Sequence, residues 1–158
     1  MVKYLLLGIV IVLILSVPAA LGQDPDKETE DCSSSTSKKA LKYYKKAVDV
    51  SSKSSGEANH LYKEAIKEDP DFADAYYKLA RMAMGRENYL AAKKYFLNIL
   101  EVCPSYNIYV HYYLGQIYHS AEEYTKAVEH LRKFMKDPDK IKVDRHYNTA
   151  ETILDKAS

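Results

Sequence analysis

The sequence has no tryptophan, only five glycines and two cysteines, and almost no excess of charge of either sign. It contains no glycine-rich loop that could hold a phosphate group. A net charge of +1 gives little electrostatic attraction to nucleic acid or to an anionic lipid surface, so we predict no nucleic-acid partner. What is present, 47% hydrophobic and 28% charged residues in a chain of 158, is typical of one modest globular domain.

The first 22 residues differ from the rest of the chain. Lys3 precedes a long apolar run, which ends in Pro18 and several small residues. A basic end, an apolar centre and a small-residue cleavage site are typical of a secretory signal peptide, so we predict one at 1–22, cut before Gln23. The alternative is an uncleaved membrane anchor, because the run approaches the ~20 residues that span a bilayer.

The two cysteines, Cys32 and Cys103, would lie in an oxidising compartment if the chain is exported. A disulfide between them would join the N-terminal segment to the end of a predicted helix. Two unpaired thiols are the alternative, because the sequence does not give the Cα separation that a disulfide requires. Both interpretations stay open at this point.

Residues 23–37 are acidic and then serine-rich, which predicts a flexible, solvated linker. From Lys38 onward, apolar residues recur at helical spacing without strand-like alternation. Prolines, a glycine and capping side chains separate the apolar segments. The pattern predicts helices at Ser37–Ser51, Gly56–Glu68, Phe72–Met84, Asn88–Glu101, Tyr106–His119, Glu122–Lys136 and Ile141–Lys156.

These helices form a repeat of 34 or 35 residues, closed by Pro70, Pro104 and Pro138. Ala80 and Gly115 occupy the same register position on the first helix of a pair. Antiparallel helices approach closely where a small side chain meets a large one, so both should receive the aromatic side chains of Tyr95, Phe96 and their counterparts in the next unit. Such hairpins must stack on one another. We therefore predict an all-α fold at 38–158, a right-handed solenoid of about three hairpins with Ile141–Lys156 as a capping helix.

The middle unit resembles the tetratricopeptide repeat at Tyr76, Leu79, Ala80, Tyr89, Ala92, Phe96 and Pro104, and the resemblance extends over Lys38–Pro138. A signal peptide followed by a tyrosine-rich block ending in "YYLGQIYHSAEEYTKAVEHLRKFMKDPDK" is also similar to the N-terminal repeat domain of Bacteroidetes envelope proteins of the OmpA and type IX secretion-associated families. This second resemblance implies a periplasmic scaffold whose association with the outer membrane is indirect.

Outward positions on the first helix of each pair predict a concave, tyrosine-lined groove. Tyrosine combines a large contact area with one hydrogen-bonding group, so the groove should bind a segment of another envelope protein. The alternative is that these tyrosines only fill space between helices. The predicted partner-binding residues are Tyr44, Asp74, Tyr77, Lys78, Arg81, Tyr109, Tyr112, Gln116 and His119.

The sequence contains no pattern of catalytic or metal-binding residues. Its five histidines form no HExxH motif, and Cys103 has no base near it in the sequence. We predict no enzyme activity, no cofactor, no metal and no small-molecule substrate. The leading hypothesis is a non-catalytic interaction scaffold of the cell envelope. The alternatives are a membrane-anchored assembly or chaperone-like adaptor, and an enzyme whose pocket forms only in the folded chain.

Overall fold

The computed structural model describes residues 32–136 and 145–156. The predicted signal peptide, residues 23–31 of the linker and the start of the predicted capping helix lie outside these ranges. Within them the chain is all-α, as predicted, and no strand is present. The helices are α1 Lys38–Val50, α2 Ser55–Glu68, α3 Ala73–Met84, α4 Tyr89–Val102, α5 Tyr109–Ser120, α6 Tyr124–Met135 and α7 Arg145–Lys156.

Capping side chains explain where several helices begin. The Ser37 hydroxyl accepts the Ala40 amide at the start of α1, and Ser54 and Asn88 cap α2 and α4 in the same way. The turns inside the second and third hairpins each contain a glutamate with positive φ, Glu87 at 58° and Glu122 at 60°. A non-glycine residue in this left-handed region is unfavourable, and the two glutamates occupy equivalent repeat positions.

Each helix pairs with its neighbour in the chain, in the order α1–α2, α3–α4 and α5–α6. The hairpins then stack through contacts of α2 with α3 and of α4 with α5. Ala80 is fully buried in the same cluster as Phe96, and a Cβ added to Gly115 would lie 2.5 Å from Leu131 Cδ2. The predicted packing of small against large side chains is confirmed, and it produces a solenoid of helical hairpins.

The last described helix, α7, packs against both α5 and α6. Ala150 is fully buried there, while Tyr147, Ile153 and Leu154 pack around the same cluster from partly exposed positions. This agrees with the predicted capping role for the described part of that helix. Within 32–136 and 145–156, no helix has the length and hydrophobicity needed to cross a membrane.

Residues 32–37, which we call the strap, are packed on the helices, so the solvated-linker prediction is wrong for them. Cys32 is disulfide-bonded to Cys103, with the two Cα atoms 5.4 Å apart. The Ser33 carbonyl accepts the Asp74 amide at 2.9 Å, and Ser35 is only 7% exposed. Of the two interpretations left open for the cysteines, the structure has the disulfide. The other contacts join residues far apart in the sequence, which is why the composition of the segment did not indicate them.

Candidate functional site

Arg81 on α3, one of the predicted partner-binding residues, lies among aromatic side chains. Its Nη1 donates to the Tyr77 hydroxyl at 3.4 Å, and its guanidinium lies 5.0 Å from the centre of the Tyr113 ring on α5. Tyr77 is one turn before Arg81 on the same helix, so local geometry brings the pair together. The side chain of Arg81 remains exposed. A cation held against aromatic rings is attracted by their negative faces, which favours this arrangement of Arg81.

Asp74 lies one turn before Tyr77 and Lys78 on α3. It links α3 to Tyr106, which lies in the turn before α5. Its Oδ1 accepts the Tyr106 hydroxyl at 2.6 Å, and the Tyr106 ring packs on Tyr77 with centroids 5.5 Å apart. Burial, followed by the hydrogen bond to Asp74, raises the pKa of Tyr106 well above its usual range. The Tyr106 phenol therefore remains a hydrogen-bond donor to the carboxylate at any physiological pH.

Tyr44 on α1 extends the same set of side chains into the first hairpin. Its ring contacts Tyr62 and Phe72 with centroid distances of 5.4 and 4.9 Å. Burial, and then the charge of Asp74, raise the pKa of Tyr44 to about 12. We call the set Tyr44, Asp74, Tyr77, Arg81, Tyr106 and Tyr113 the aromatic network.

The third hairpin does not continue the predicted tyrosine groove. Tyr112 is only 5% exposed, and its ring contacts Phe134 of α6 and His146 of α7. Tyr109 is half-buried between the same two residues. The prediction of Tyr112 as an open groove residue is wrong, because the capping helix lies over this part of α5.

The other predicted site residues lie at the margins of this arrangement. Lys78 is exposed on α3, whereas Gln116 and His119 are partly buried on α5. The His119 ring packs edge-on against Tyr124 of α6, with centroids 5.6 Å apart. Leu41 and Val48, two turns apart on α1, are 38% and 43% exposed and add apolar surface to the first hairpin.

Two members of the aromatic network, Tyr106 and Tyr113, are not among the predicted partner-binding residues. It predicted Tyr106 as the first residue of a helix, but α5 begins later and leaves Tyr106 in the preceding turn. Tyr113 stacks on Phe96 with an interplanar angle of 8° and centroids 5.2 Å apart. Tyr113 follows Tyr112 directly in the sequence, and the two rings contact different elements. Tyr113 stacks on Phe96 of the second hairpin, and Tyr112 contacts His146 of α7. The doubled tyrosine was the available indication of this arrangement.

A histidine pair joins α5 and α6 outside the aromatic network. His111 Nδ1 and His130 Nδ1 are 2.9 Å apart, and the His130 ring stacks on Tyr118. Burial, followed by the charge of His130, lowers the pKa of His111 to about 4. Burial also lowers the pKa of His130. Among the residues that the structure describes, no group of three or more potential metal ligands occurs.

Chemically, the aromatic network provides recognition groups: ring faces, phenol hydroxyls and one exposed guanidinium. Comparison with known proteins gives one family match. The model of the tetratricopeptide repeat family matches residues 61–94, which include all of α3. No curated protein matches the chain. The match supports a tetratricopeptide repeat family and, in general terms, a non-enzymatic scaffold for protein–protein interaction.

Proposed function

We propose that this protein is a non-catalytic scaffold of the bacterial cell envelope that binds a segment of a partner protein at the aromatic network. The observation that carries the proposal is the position of Arg81, which is exposed and held between Tyr77 and Tyr113. Arginine and tyrosine are the residue types most often found as energetic anchors of protein interfaces.

The surface that would bind the partner belongs mainly to the first two hairpins. Leu41 and Val48 supply apolar area, and Tyr77 and Arg81 supply aromatic and polar contacts. No carboxylate of the described residues is within ion-pair distance of Arg81, so its charge is available to a ligand. Tyr112 is excluded from this revised surface because α7 covers it.

The first experiment measures which proteins of an envelope extract are retained by the immobilised chain and by a Tyr77→Ala, Arg81→Ala double variant. We expect at least one protein to be retained ~10-fold less by the variant, since each interface anchor contributes over ~1 kcal/mol. Leu90→Ala is the control, because Leu90 on α4 is 76% exposed and lies outside the aromatic network. Equal retention by the wild type and the double variant would show that this surface is not the binding site.

The envelope location rests on residues 1–22, and a separate experiment tests it. We expect the natural protein to fractionate with the periplasm and its N-terminal sequence to begin at Gln23. A protein that keeps Met1–Gly22 and sediments with membranes would instead support the alternative of an anchored assembly or chaperone-like adaptor. Indirect association with the outer membrane predicts release from that membrane when protein partners are removed.

A further inference from the structure

The strap connects the two turns that join consecutive hairpins. Near one end, the Ser35 hydroxyl donates to the carboxylate of Asp69, which is the C-cap of α2. At the other end, Cys32 is bonded to Cys103, the C-cap of α4, and Cys32 Sγ lies 3.9 Å from Ser105 Oγ. Residues separated by 71 positions are therefore joined covalently across the edge of the solenoid.

The strap also contacts the aromatic network directly. The carbonyl of Ser33 accepts the backbone amide of Asp74 in the first turn of α3. This amide has no partner within its own helix, as is general for the first turn, so the strap satisfies it. Asp74 in turn holds Tyr106, and Tyr106 packs on Tyr77. One continuous set of contacts thus links the disulfide to the side chains around Arg81.

We propose that the strap is a redox-sensitive element, which in the disulfide form holds Asp74 and Tyr106 in place and which a dithiol reductant releases. The disulfide form is the one that binds a partner, a part of the proposal that rests on the proposed function. Release of the strap frees the Asp74 amide and loosens the hydrogen bond from Tyr106. The surface around Tyr77 and Arg81 then loses its fixed arrangement.

The reduction occurs in two balanced steps. A thiolate of the dithiol attacks Cys32 Sγ, forms a mixed disulfide with it and expels Cys103 as a thiolate, which takes up a proton. The second thiolate of the dithiol then attacks the sulfur of the reductant in the mixed disulfide and expels Cys32. The reductant leaves as a cyclic or internal disulfide, and two electrons have passed to the protein cysteines.

Burial makes this reaction selective for the attacked sulfur and for the type of reductant. Cys103 is only 1% exposed, whereas Cys32 is partly exposed, so attack takes place at Cys32. The departing Cys103 thiolate is disfavoured by its apolar surroundings, and the first step therefore reverses readily. With a monothiol, the mixed disulfide reverts to the Cys32–Cys103 disulfide and the monothiol is released. With a dithiol, the second thiol completes the second step within the same complex. We expect dithiols to reduce the strap much faster than monothiols at equal thiol concentration.

Amide hydrogen exchange of Asp74 in the full chain tests the proposal independently of any partner. We expect exchange to become at least ~10-fold faster after dithiol treatment and in a Cys32→Ser variant, because the amide loses its acceptor. The control is Ser34→Ala, an exposed strap position that keeps both cysteines. Unchanged Asp74 exchange after complete reduction would overturn the proposal.

A second measurement follows the Tyr106 phenol by ultraviolet absorbance during an alkaline titration. In the disulfide form this phenol should titrate well above the ordinary range of a tyrosine, because burial and Asp74 raise its pKa. After reduction we expect one additional tyrosine to titrate near the ordinary pKa of ~10, and a Tyr106→Phe variant to lack that change. The same titration curve in both redox forms would contradict the link between strap and network.

Circular dichroism separates local release from general unfolding. The proposal requires the helical signal to stay within a few per cent of the oxidised value, since the strap adds contacts to helices that already pack on one another. Loss of most helical signal on reduction would overturn it, because the disulfide would then be a global stabiliser. If exchange changes as expected but partner retention does not, the redox element exists and the proposed binding surface is wrong.

Discussion

The second hairpin, α3–α4, and the third, α5–α6, are equivalent units of the repeat, but they differ in the side chains that pack between their two helices. Where the second has Ala80 packed with Phe96, the third has Gly115 packed against Leu131. The contact between Tyr76 and Tyr95, 6.2 Å between centroids, becomes one between two histidines, 5.1 Å apart. The helical-hairpin backbone therefore accommodates different side chains when both residues of a contact differ together.

Tyr77 and Tyr112 show the opposite case, in which identical residues at equivalent positions have different roles. The α5–α6 hairpin, which follows α3–α4, leaves Tyr77 partly exposed beside Arg81. The helix α7, which follows α5–α6, buries Tyr112 against His146. The register position fixes the direction of the side chain. The next element in the stack decides whether that direction leads to solvent or to the core.

The largest expected effect on stability concerns Gly115, the small residue of the third hairpin. Gly115→Ala places a Cβ 2.5 Å from Leu131 Cδ2, and Leu131 is fully buried, so the core must rearrange. Overpacking of this kind costs about 1–3 kcal/mol, partly offset by the ~1 kcal/mol by which alanine favours a helix over glycine. The balance is a net loss of up to about 2 kcal/mol in the free energy of unfolding, which chemical denaturation measures.

The control for this substitution is Gly56→Ala near the start of α2, where an added Cβ meets nothing within 4 Å. There the helix propensity acts alone, and we expect a gain of up to ~0.5 kcal/mol. Two substitutions with the same chemistry should thus change stability in opposite directions. A gain in stability from Gly115→Ala would contradict the close packing of Gly115 against Leu131.

The packing of Ala80 and Gly115 could be predicted from sequence because each small residue meets a partner within its own hairpin, at a fixed repeat spacing. The burial of Tyr112 could not, since it depends on where α7 docks. Nor could the hydrogen bond from Tyr106 to Asp74, which links α3 to the turn between α4 and α5 across 32 positions of the sequence. The Cys32–Cys103 disulfide was one of the two interpretations that the sequence left open, and the structure has it. The packing of the strap could not be predicted, because its other contact with α3, a backbone carbonyl, produces no periodic pattern.

The second prediction concerns pH and the histidine pair of the third hairpin. Both histidines have pKa values lowered by burial, that of His111 to about 4, while the unfolded values are near 6.5. Between these limits the unfolded chain binds more protons, so the stabilisation is complete above about pH 6.5 and is lost as pH falls toward 4. Lys133 of α6 adds to the lowering of both pKa values, while Glu129 opposes it.

Replacing the pair with that of the second hairpin, His111→Tyr with His130→Tyr, should remove this pH dependence. We expect the wild type to lose about 1 kcal/mol more stability than the variant between pH 7 and pH 4, a figure reduced because both rings are only half-buried. Thermal unfolding at several pH values measures the difference. His60→Gln, at an exposed position, should keep the wild-type dependence; parallel curves for the wild type and the double variant would contradict the expected role of the pair.

The smallest expected effect concerns the feature that the two hairpins share, a glutamate with positive φ in each turn. Glu87→Gly and Glu122→Gly should each raise the free energy of unfolding by about 0.5 kcal/mol, because relief of ~1 kcal/mol of backbone strain exceeds the added flexibility of the unfolded chain. Ala121→Gly is the matched control, since φ at Ala121 is −91° and glycine there should only destabilise. Similar gains in both turns would indicate that the backbone plan is common to the hairpins even where their side chains differ. If only one turn gains, the strain is compensated locally in the other, and the two hairpins differ in the backbone as well.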